Sequence, residues 1–541
     1  MTKNILILAA GDISNKIHFI KNNYHSPALI PVNSKPLVFH LINFYHSQGM
    51  QNIHLIIDKR YESIVKKEIE SSLDKIKLIL LKETKGVNDT LKETLKQLAL
   101  KESEEYVVNL VTTIPQRIPS INEAFISNVL SKNISWSGIA MNNSGIEFLS
   151  KNNPLKKEGY AFTGVFNTYG KTLQCAIKGS KSENDLLEII QLINETDQLD
   201  FQKIEWIDCG HETNYYQAKS QLLNSRSFNS ITIDNGILCK TSDNVLKISN
   251  EVKFMEMIPR ELSTLFPRII STAAIKEQKS SYEMEYYGYP NLAEILLYWD
   301  ISEEVWTKIF EKVEFTLNKF SKYKYSIGPK AFFDFYLTKS LSRFNDFEKQ
   351  LKGNNEDYEW LYKDLMIDHI FCRSFTSLLP QIEIYLKNLY SEDDFCIMHG
   401  DFCFNNILYD ISSGLIKLID PRGSFGDGCI GIYGDKKYDL AKFAHSVIGH
   451  YDYIVNDHFT LKENADSFNI NFNFRSNKDL LKNLYKELLD KLNFNEKDIL
   501  FIMGLIFISL VPLHKESRIR QKAFYLMGLK TLNLVLTVKK L

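Results

Sequence analysis

Three polar side chains in the C-terminal part of the chain have the types and spacing that phosphoryl chemistry requires. The stretch Ile397 to Asp410 reads IMHGDFCFNNILYD. Apolar residues lead into His399-Gly400-Asp401 and Ile407-Leu408-Tyr409 lead out, which predicts strand, tight turn, short loop and strand. The order H-G-D-x-x-x-x-N sets a carboxylate (Asp401) and a carboxamide (Asn406) beside one pocket. A hydroxyl attacking a terminal phosphate has to lose a proton, and a carboxylate can accept it. A divalent cation on the phosphates needs hard oxygen ligands, and an Asn carbonyl supplies one. A second carboxylate follows where Leu415 to Ile419, a short apolar strand, ends in Asp420 of DPRG.

These groups need a scaffold on both sides. Upstream, Ile231-Thr232-Ile233 predicts a strand, Asp234-Asn235-Gly236 a tight hairpin turn, and Ile237 to Lys240 the return strand. Thr241 to Asn244 predicts another turn, and Val245 to Ile248 a third strand. Lys247 on that strand is the candidate for a lysine on the phosphates, and Glu251, opening the next helix, is its candidate partner, with Glu256 and Glu261 as competitors. Tyr282 to Tyr287, then Gly288, predicts a strand with an aromatic face and a connector, and resembles a hinge between two lobes whose backbone groups bind a base edge. Phe332 to Phe344 and Leu361 to Leu379 have long apolar periodicities, the second ending at Pro380, as a mostly helical lobe requires.

HGDxxxxN, a strand ending in Asp420, and Tyr438-Asp439-Leu440-Ala441 together resemble the aminoglycoside phosphotransferase and choline kinase family, over roughly the C-terminal three-fifths of the chain. The resemblance implies a bilobal, α+β protein-kinase-like domain at 224–541, with a small lobe to about 288 and a large lobe from about 289. It implies ATP and Mg²⁺, Asp401 as catalytic base, Asn406 and Asp420 on the metal, Lys247, Glu251 and Tyr286 at the nucleotide, and Asp439 as a brace for the loop. His399 then supports the loop. The glycine-rich stretch after DPRG resembles a lid, with Arg422, Asp427 and Asp435 as its charged members. His445 and His450 read as packing residues. His514, Arg518 and Arg520 read as a surface charge cluster, and that segment also resembles the tail of kinases among bacterial capsule gene products.

The N-terminal part alternates strands and helices: Lys3 to Ala10, a helix from Leu37, Asn52 to Asp58, Leu78 to Leu81, a helix over Val87 to Leu98, and Tyr106 to Val111. That alternation predicts a doubly wound, Rossmann-like α/β domain at 1–223. LAAG (Leu8 to Gly11), LIPVNSKPL (Leu29 to Leu37), FTGVF (Phe162 to Phe166) and WIDCGHETNYYQA (Trp206 to Ala218) resemble the sugar-phosphate and choline-phosphate nucleotidyltransferases. The resemblance implies CTP or UTP in the loop after Gly11, with Asp208 on Mg²⁺ and Lys16 and Lys35 as phosphate contacts. Three positions depart from the pattern. DISNK follows Gly11, so Asp12 sits where a triphosphate would pass. Ser26-Pro27 replaces a Pro-Lys pair. Thr112-Thr113 stands where a second metal-binding Asp belongs.

At 541 residues, length suggests roughly two to four domains. A net charge of −1 gives no basic field for nucleic acid. Seven scattered cysteines without a CxxC argue against a zinc ribbon or a disulfide framework and fit a reducing compartment. The N-terminus lacks a signal-peptide layout. The apolar run Ile499 to Leu513 is about 15 residues, short of the roughly 20 that span a bilayer, so a buried helix and no stable membrane insertion are expected. A cytoplasmic protein is the default reading. The expected function is an ATP-dependent phosphotransferase acting on a small alcohol (a sugar, polyol or choline-like molecule), with a nucleotidyltransferase-like N-terminal domain. The whole is similar to capsule biosynthesis fusion proteins. The alternatives are a bifunctional kinase and nucleotidyltransferase, and a non-catalytic nucleotide- or sugar-binding protein.

Overall fold

The first strand, β1 (Lys3–Ala9), is apolar at consecutive positions, and its alternate side chains serve two cores. Ile5, Ile7 and Ala9 pack with Leu37, Leu41 and Tyr45 of α1 (Leu37–Ser47). Leu6 and Leu8 pack on the other face with Leu91 of α2 (Val87–Gln97) and with Ile190 and Ile193 of α3 (Leu186–Asp197). A strand covered on both faces has no solvent side, which is why its sequence does not alternate. β1 is flanked in parallel by β2 (Asn52–Asp58) and β4 (Glu105–Leu110), and β3 (Lys77–Leu81) extends the parallel set beyond β2. β5 (Gly159–Tyr169) then runs antiparallel to β4. Among the described residues these belong to a nine-stranded mixed sheet. The result is an α/β unit with helices on both faces.

In the computed structural model of the chain, the structure describes residues 3–13, 17, 20, 25–32, 35–128, 137–142, 145–149, 159–211, 214–215, 218–219, 229–276, 279–426, 429–474 and 477–537. The chain divides into two units: Met1–Leu223 with Tyr298–Asp300, and Asn224–Leu297 with Ile301–Leu541.

The second unit opens with β6 (Asn229–Asp234) and β7 (Ile237–Ser242), joined at Asn235 and Gly236. Both have positive φ, as the tight hairpin turn requires. The expected third strand is not there. Val245 to Ile248 instead begins α4 (Val245–Met257), whose first turn is capped by the Asn244 side chain accepting from the Lys247 N–H. β8 (Ile269–Lys276) and β9 (Lys279–Glu285) complete a four-stranded sheet in the order β6-β7-β9-β8.

Helices dominate thereafter: α5 (Glu303–Phe320), α6 (Lys339–Gly353), α7 (Phe375–Leu389), α8 (Lys436–Val447), α9 (Lys478–Leu492), α10 (Glu496–Leu510) and α11 (Arg518–Leu536). The expected helix over Leu361 to Leu379 is instead a hairpin, Leu365–Ile367 with Ile370–Cys372, followed by α7, which runs through Pro380. Asp368 and His369 both take positive φ and turn the chain inside that apolar run. The segment Glu496–His514 is the one described helix long and apolar enough to cross a membrane; 67% of its apolar window is buried inside the molecule, as a core helix would be.

Candidate functional site

The HGD loop emerges from β10 (Phe395–Ile397) and re-enters β11 (Ile407–Asp410), which pairs with β12 (Leu415–Leu418) ahead of Asp420. Asp439, buried in the first turn of α8, holds the loop's shape. Its two carboxylate oxygens accept the backbone N–H groups of His399 (2.7 Å) and Gly400 (2.8 Å). Burial nonetheless pushes the Asp439 carboxyl up to about 7, against those two donors. His399 is fully buried. Its Nδ1 accepts the Asp401 N–H at 3.2 Å and its ring stacks on Phe266. Burial lowers its pKa to about 4, so the ring is a neutral prop at pH 7.

Asp401 is 40% exposed to the cleft. Burial of its surroundings works to raise its pKa, but the Lys442 ammonium at 2.7 Å overrides this and holds the carboxylate ionised. Asn406 donates its amide N–H to the Asp401 carboxylate (2.8 Å) and to the Asp401 carbonyl (2.9 Å). Both donors of that amide are therefore spoken for, and its oxygen is the group left for a ligand. Asp420, 37% exposed, spends one oxygen on Lys240 Nζ at 2.8 Å. Its other oxygen and the Asn406 carbonyl are hard donors that suit Mg²⁺. Asp401, Asn406 and Asp420 line one cavity of about 760 Å³, together with Lys247, Lys339, Arg343, Arg422 and Lys442.

Lys247 lines the cavity, but from a helix and not from the expected strand. It lies on α4, is 50% exposed, and reaches Glu251 only at 3.7 Å. The buried position belongs to Lys240 on β7, 3% exposed, which pairs at 2.8 Å with both Glu251 and Asp420. Glu251, 1% exposed, comes from α4 and also accepts the Tyr282 hydroxyl at 2.9 Å. Burial alone would lower the Lys240 pKa. The facing carboxylates of Asp420 and Glu251 raise it instead and keep the ammonium charged. The sequence does mark where β7 ends. Ser242-Asp243-Asn244 ahead of a run with Ile248, Glu251 and Phe254 at helical spacing marks a helix start, which moves the strand back to Ile237–Ser242.

Tyr286 follows β9, outside the residues lining this cavity. Its N–H donates to the Gly236 carbonyl at 2.9 Å and so is engaged within the sheet rather than offered to a base. Burial raises its hydroxyl to about 12. Arg422 lines the cavity, whereas Asp435 is fully buried, caps α8 and accepts the Tyr336 hydroxyl at 2.9 Å. The loop between them is tied by Gly431 N–H to Gly423 carbonyl (2.9 Å) and by Phe425 stacked on Phe335 (4.0 Å). Asp427 lies outside the described residues. His445 stacks on Tyr451, and His450 packs on Phe472 and Phe474. Arg518 and Arg520 pair with Glu356 and Asp457.

The first unit has its own cavity, about 480 Å³, where the chain leaves β1 and β4. Gly11, Asp12, Gly86, Thr112, Thr113 and Asp208 are among its lining. Gly11 has φ +122 and open space where a Cβ would stand. Asp208, 3% exposed, is turned into its own turn: Oδ1 accepts the Gly210 N–H (3.0 Å), and Oδ2 meets His211 (2.8 Å) and the Asn214 amide (2.8 Å). Thr113 is likewise occupied, between Trp206 Nε1 (3.2 Å) and the Thr163 carbonyl (2.7 Å). Among the described residues, no group of three or more His, Cys, Asp or Glu side chains could hold a metal ion. The residues here do not fit the two-carboxylate metal site that Asp208 was expected to share. Asp12 accepts the Tyr61 hydroxyl at 2.6 Å, Lys35 sits over the Phe39 ring, and Lys16 lies outside the described residues.

No family model matches the chain, and no curated protein matches it. Among solved structures, a candidate glucose-1-phosphate thymidylyltransferase from Bacillus anthracis, crystallised with sucrose, aligns over 42% of this chain and 97% of its own, at 17% identity and TM-score 0.35. A UDP-glucose pyrophosphorylase complexed with UDP-glucose aligns over 42% and 100%, at 15% identity and TM-score 0.32. The UDP-glucose pyrophosphorylase of Acinetobacter baumannii aligns over 42% and 95%, at 13% identity and TM-score 0.34.

Proposed function

We propose that the second unit is an ATP-dependent phosphotransferase acting on the hydroxyl of a small molecule. The observation that carries this reading is the convergence of Asp401, Asn406 and Asp420 on one cavity, with Lys240 bridging Asp420 to the buried Glu251. A strand lysine paired with a helix glutamate, beside an Asp-Asn-Asp set, is the arrangement that orients and neutralises a triphosphate. The acceptor oxygen attacks the γ-phosphorus, the bond to the β-phosphate oxygen breaks, and ADP leaves. Asp401 takes the hydroxyl proton. It is suited to this because Lys442 and Asn406 fix its carboxylate while leaving an edge open to the cleft. Asp439 and His399 keep the loop in register. Mg²⁺ would be held by Asn406 and Asp420 and would offset charge on the phosphates. Lys240, buried and charged, supplies a fixed cation behind Asp420, and such preorganised charge needs no reorganisation during reaction.

A second reading, in which the first unit also transfers a nucleotide, is favoured by the cavity at Gly11 and by the open space there. The inward-turned Asp208 favours ligand binding without chemistry. Both readings meet one experiment: ADP and pyrophosphate release are followed separately over a panel of sugars, polyols, hydroxy acids and amino alcohols with ATP, CTP and UTP. ADP release that disappears in Asp401→Asn supports the phosphotransferase. An Asp401→Asn protein as active as wild type removes Asp401 from the mechanism.

A further inference from the structure

Lys339 and Arg343 stand one turn apart on α6, and both line the cavity of Asp401. Like charges at this helical spacing repel and cost stability. Among the described residues, no carboxylate lies within ion-pair distance of Lys339, Arg343 or Arg422. The other basic residues of the lining are engaged, Lys442 with Asp401 and Lys247 toward Glu251, and the second lining carboxylate, Asp420, is taken by Lys240. Aromatic rings hold two of the three remaining cations in place without neutralising them. Lys339 Nζ lies 4.5 Å from the Phe335 ring centre and 5.5 Å from that of Tyr438, and the Arg422 guanidinium lies 4.9 Å from Phe335. Burial, then repulsion from Arg422, Lys442 and Arg343, pushes the Lys339 pKa well below the usual lysine value, and the attraction of Asp401 offsets this only in part. Such a cluster is relieved when an anion enters it.

We propose that Lys339, Arg343 and Arg422 form an anion subsite for the phosphoryl acceptor, which is therefore a hydroxylated molecule bearing a carboxylate or phosphate group. The proposal rests on the phosphotransferase reading and narrows its acceptor. A quaternary ammonium such as choline calls for an aromatic cage without competing cations, and here it would meet three of them. Guanidinium and ammonium groups suit carboxylate and phosphate oxygens alike, so the probe has to separate those two sources.

The test uses the full chain with Mg²⁺ and a non-hydrolysable ATP analogue, titrated by calorimetry with glycerol 3-phosphate, glycerate, glycerol and choline. Binding of an anionic probe, with no heat from glycerol or choline, is expected, and the tighter anion identifies phosphate or carboxylate. K339Q/R343Q is expected to weaken the anion by about 10–100-fold while leaving the analogue's affinity unchanged, and K339R/R343K restores it, which separates loss of charge from misfolding. Glycerol or choline binding as tightly as the anions overturns the proposal, as does undiminished anion binding in K339Q/R343Q. A parallel fall in analogue affinity also overturns it, since the cluster then serves the nucleotide. Failure of the analogue to bind wild type overturns the phosphotransferase reading itself, and analogue binding with no bound anion overturns only the subsite.

Discussion

Replacing Lys240 by Met separates the buried cation from its exposed neighbour Lys247. Lys240 faces two carboxylates at 2.8 Å each. At an effective dielectric of about 20, a unit-charge pair at that distance is worth about 6 kcal/mol before desolvation is subtracted. Desolvation of Lys240 and Glu251, 3% and 1% exposed, offsets most of one pair, and solvent at the 37% exposed Asp420 screens the other. What remains to be felt is the isolated Glu251 carboxylate, and breaking a buried pair this way costs about 3–5 kcal/mol. The assay is urea unfolding of the transition that reports on the second unit, with the kcat/KM for ATP measured in parallel. Lys240→Met should lose that stability and about 10²–10³-fold in kcat/KM, whereas Lys247→Met should change both only slightly. The sign with pH is fixed. Burial already raises the Glu251 pKa, and removing Lys240 raises it further. A carboxyl raised in the folded state is stabilising when protonated and loses that stability as pH rises above the unfolded value. The deficit of Lys240→Met should therefore shrink as pH falls toward about 4. A Lys240→Met protein as stable and active as wild type, beside an inactive Lys247→Met, would refute the reasoning.

His399 sets a pH dependence of its own. Its pKa falls from 6.5 unfolded to about 4 folded because the ring is buried, so stability from this group is present above pH 6.5 and is lost as pH falls toward 4. The loss is about 3 kcal/mol, and His399→Gln should flatten that part of the curve of unfolding free energy against pH. Asp439→Ala should cost about 3 kcal/mol by urea unfolding and sharply reduce ADP formation, because two buried N–H groups of the HGD loop lose their acceptor. In the first unit, incubation with CTP or UTP and a sugar phosphate should release no pyrophosphate. Release abolished by Asp208→Asn would instead support the bifunctional reading.

The most legible parts of the chain were those where one physical demand dominated. β1 had to be apolar on both faces to sit inside a doubly covered sheet, and Asn235-Gly236 had to turn because both residues take positive φ. The HGD loop was legible because acid, amide and second acid occur at a fixed order and spacing. Lys240 was missed because a lysine in a strand is ordinarily solvated, and nothing local announces the Glu251 and Asp420 carboxylates that bury it. Reading Val245 to Ile248 as a strand then promoted Lys247, although the Asn244 cap argued for a helix. The cation cluster of Lys339, Arg343 and Arg422 joins residues about 80 positions apart, and only tertiary packing brings them to one wall. The inward turn of Asp208 depends on His211 and Asn214, three and six residues on, whose side chains take its oxygens.

Mn²⁺ in place of Mg²⁺ gives the most direct measurement of the central claim, that one amide and one carboxylate hold a divalent cation at a nucleotide's phosphates. Titration of Mn²⁺ into the full chain with a non-hydrolysable ATP analogue, followed by electron paramagnetic resonance, should show a bound ion whose affinity drops at least about tenfold in Asn406→Ala and in Asp420→Asn. Mn²⁺ bound equally tightly by wild type and both variants would contradict the account.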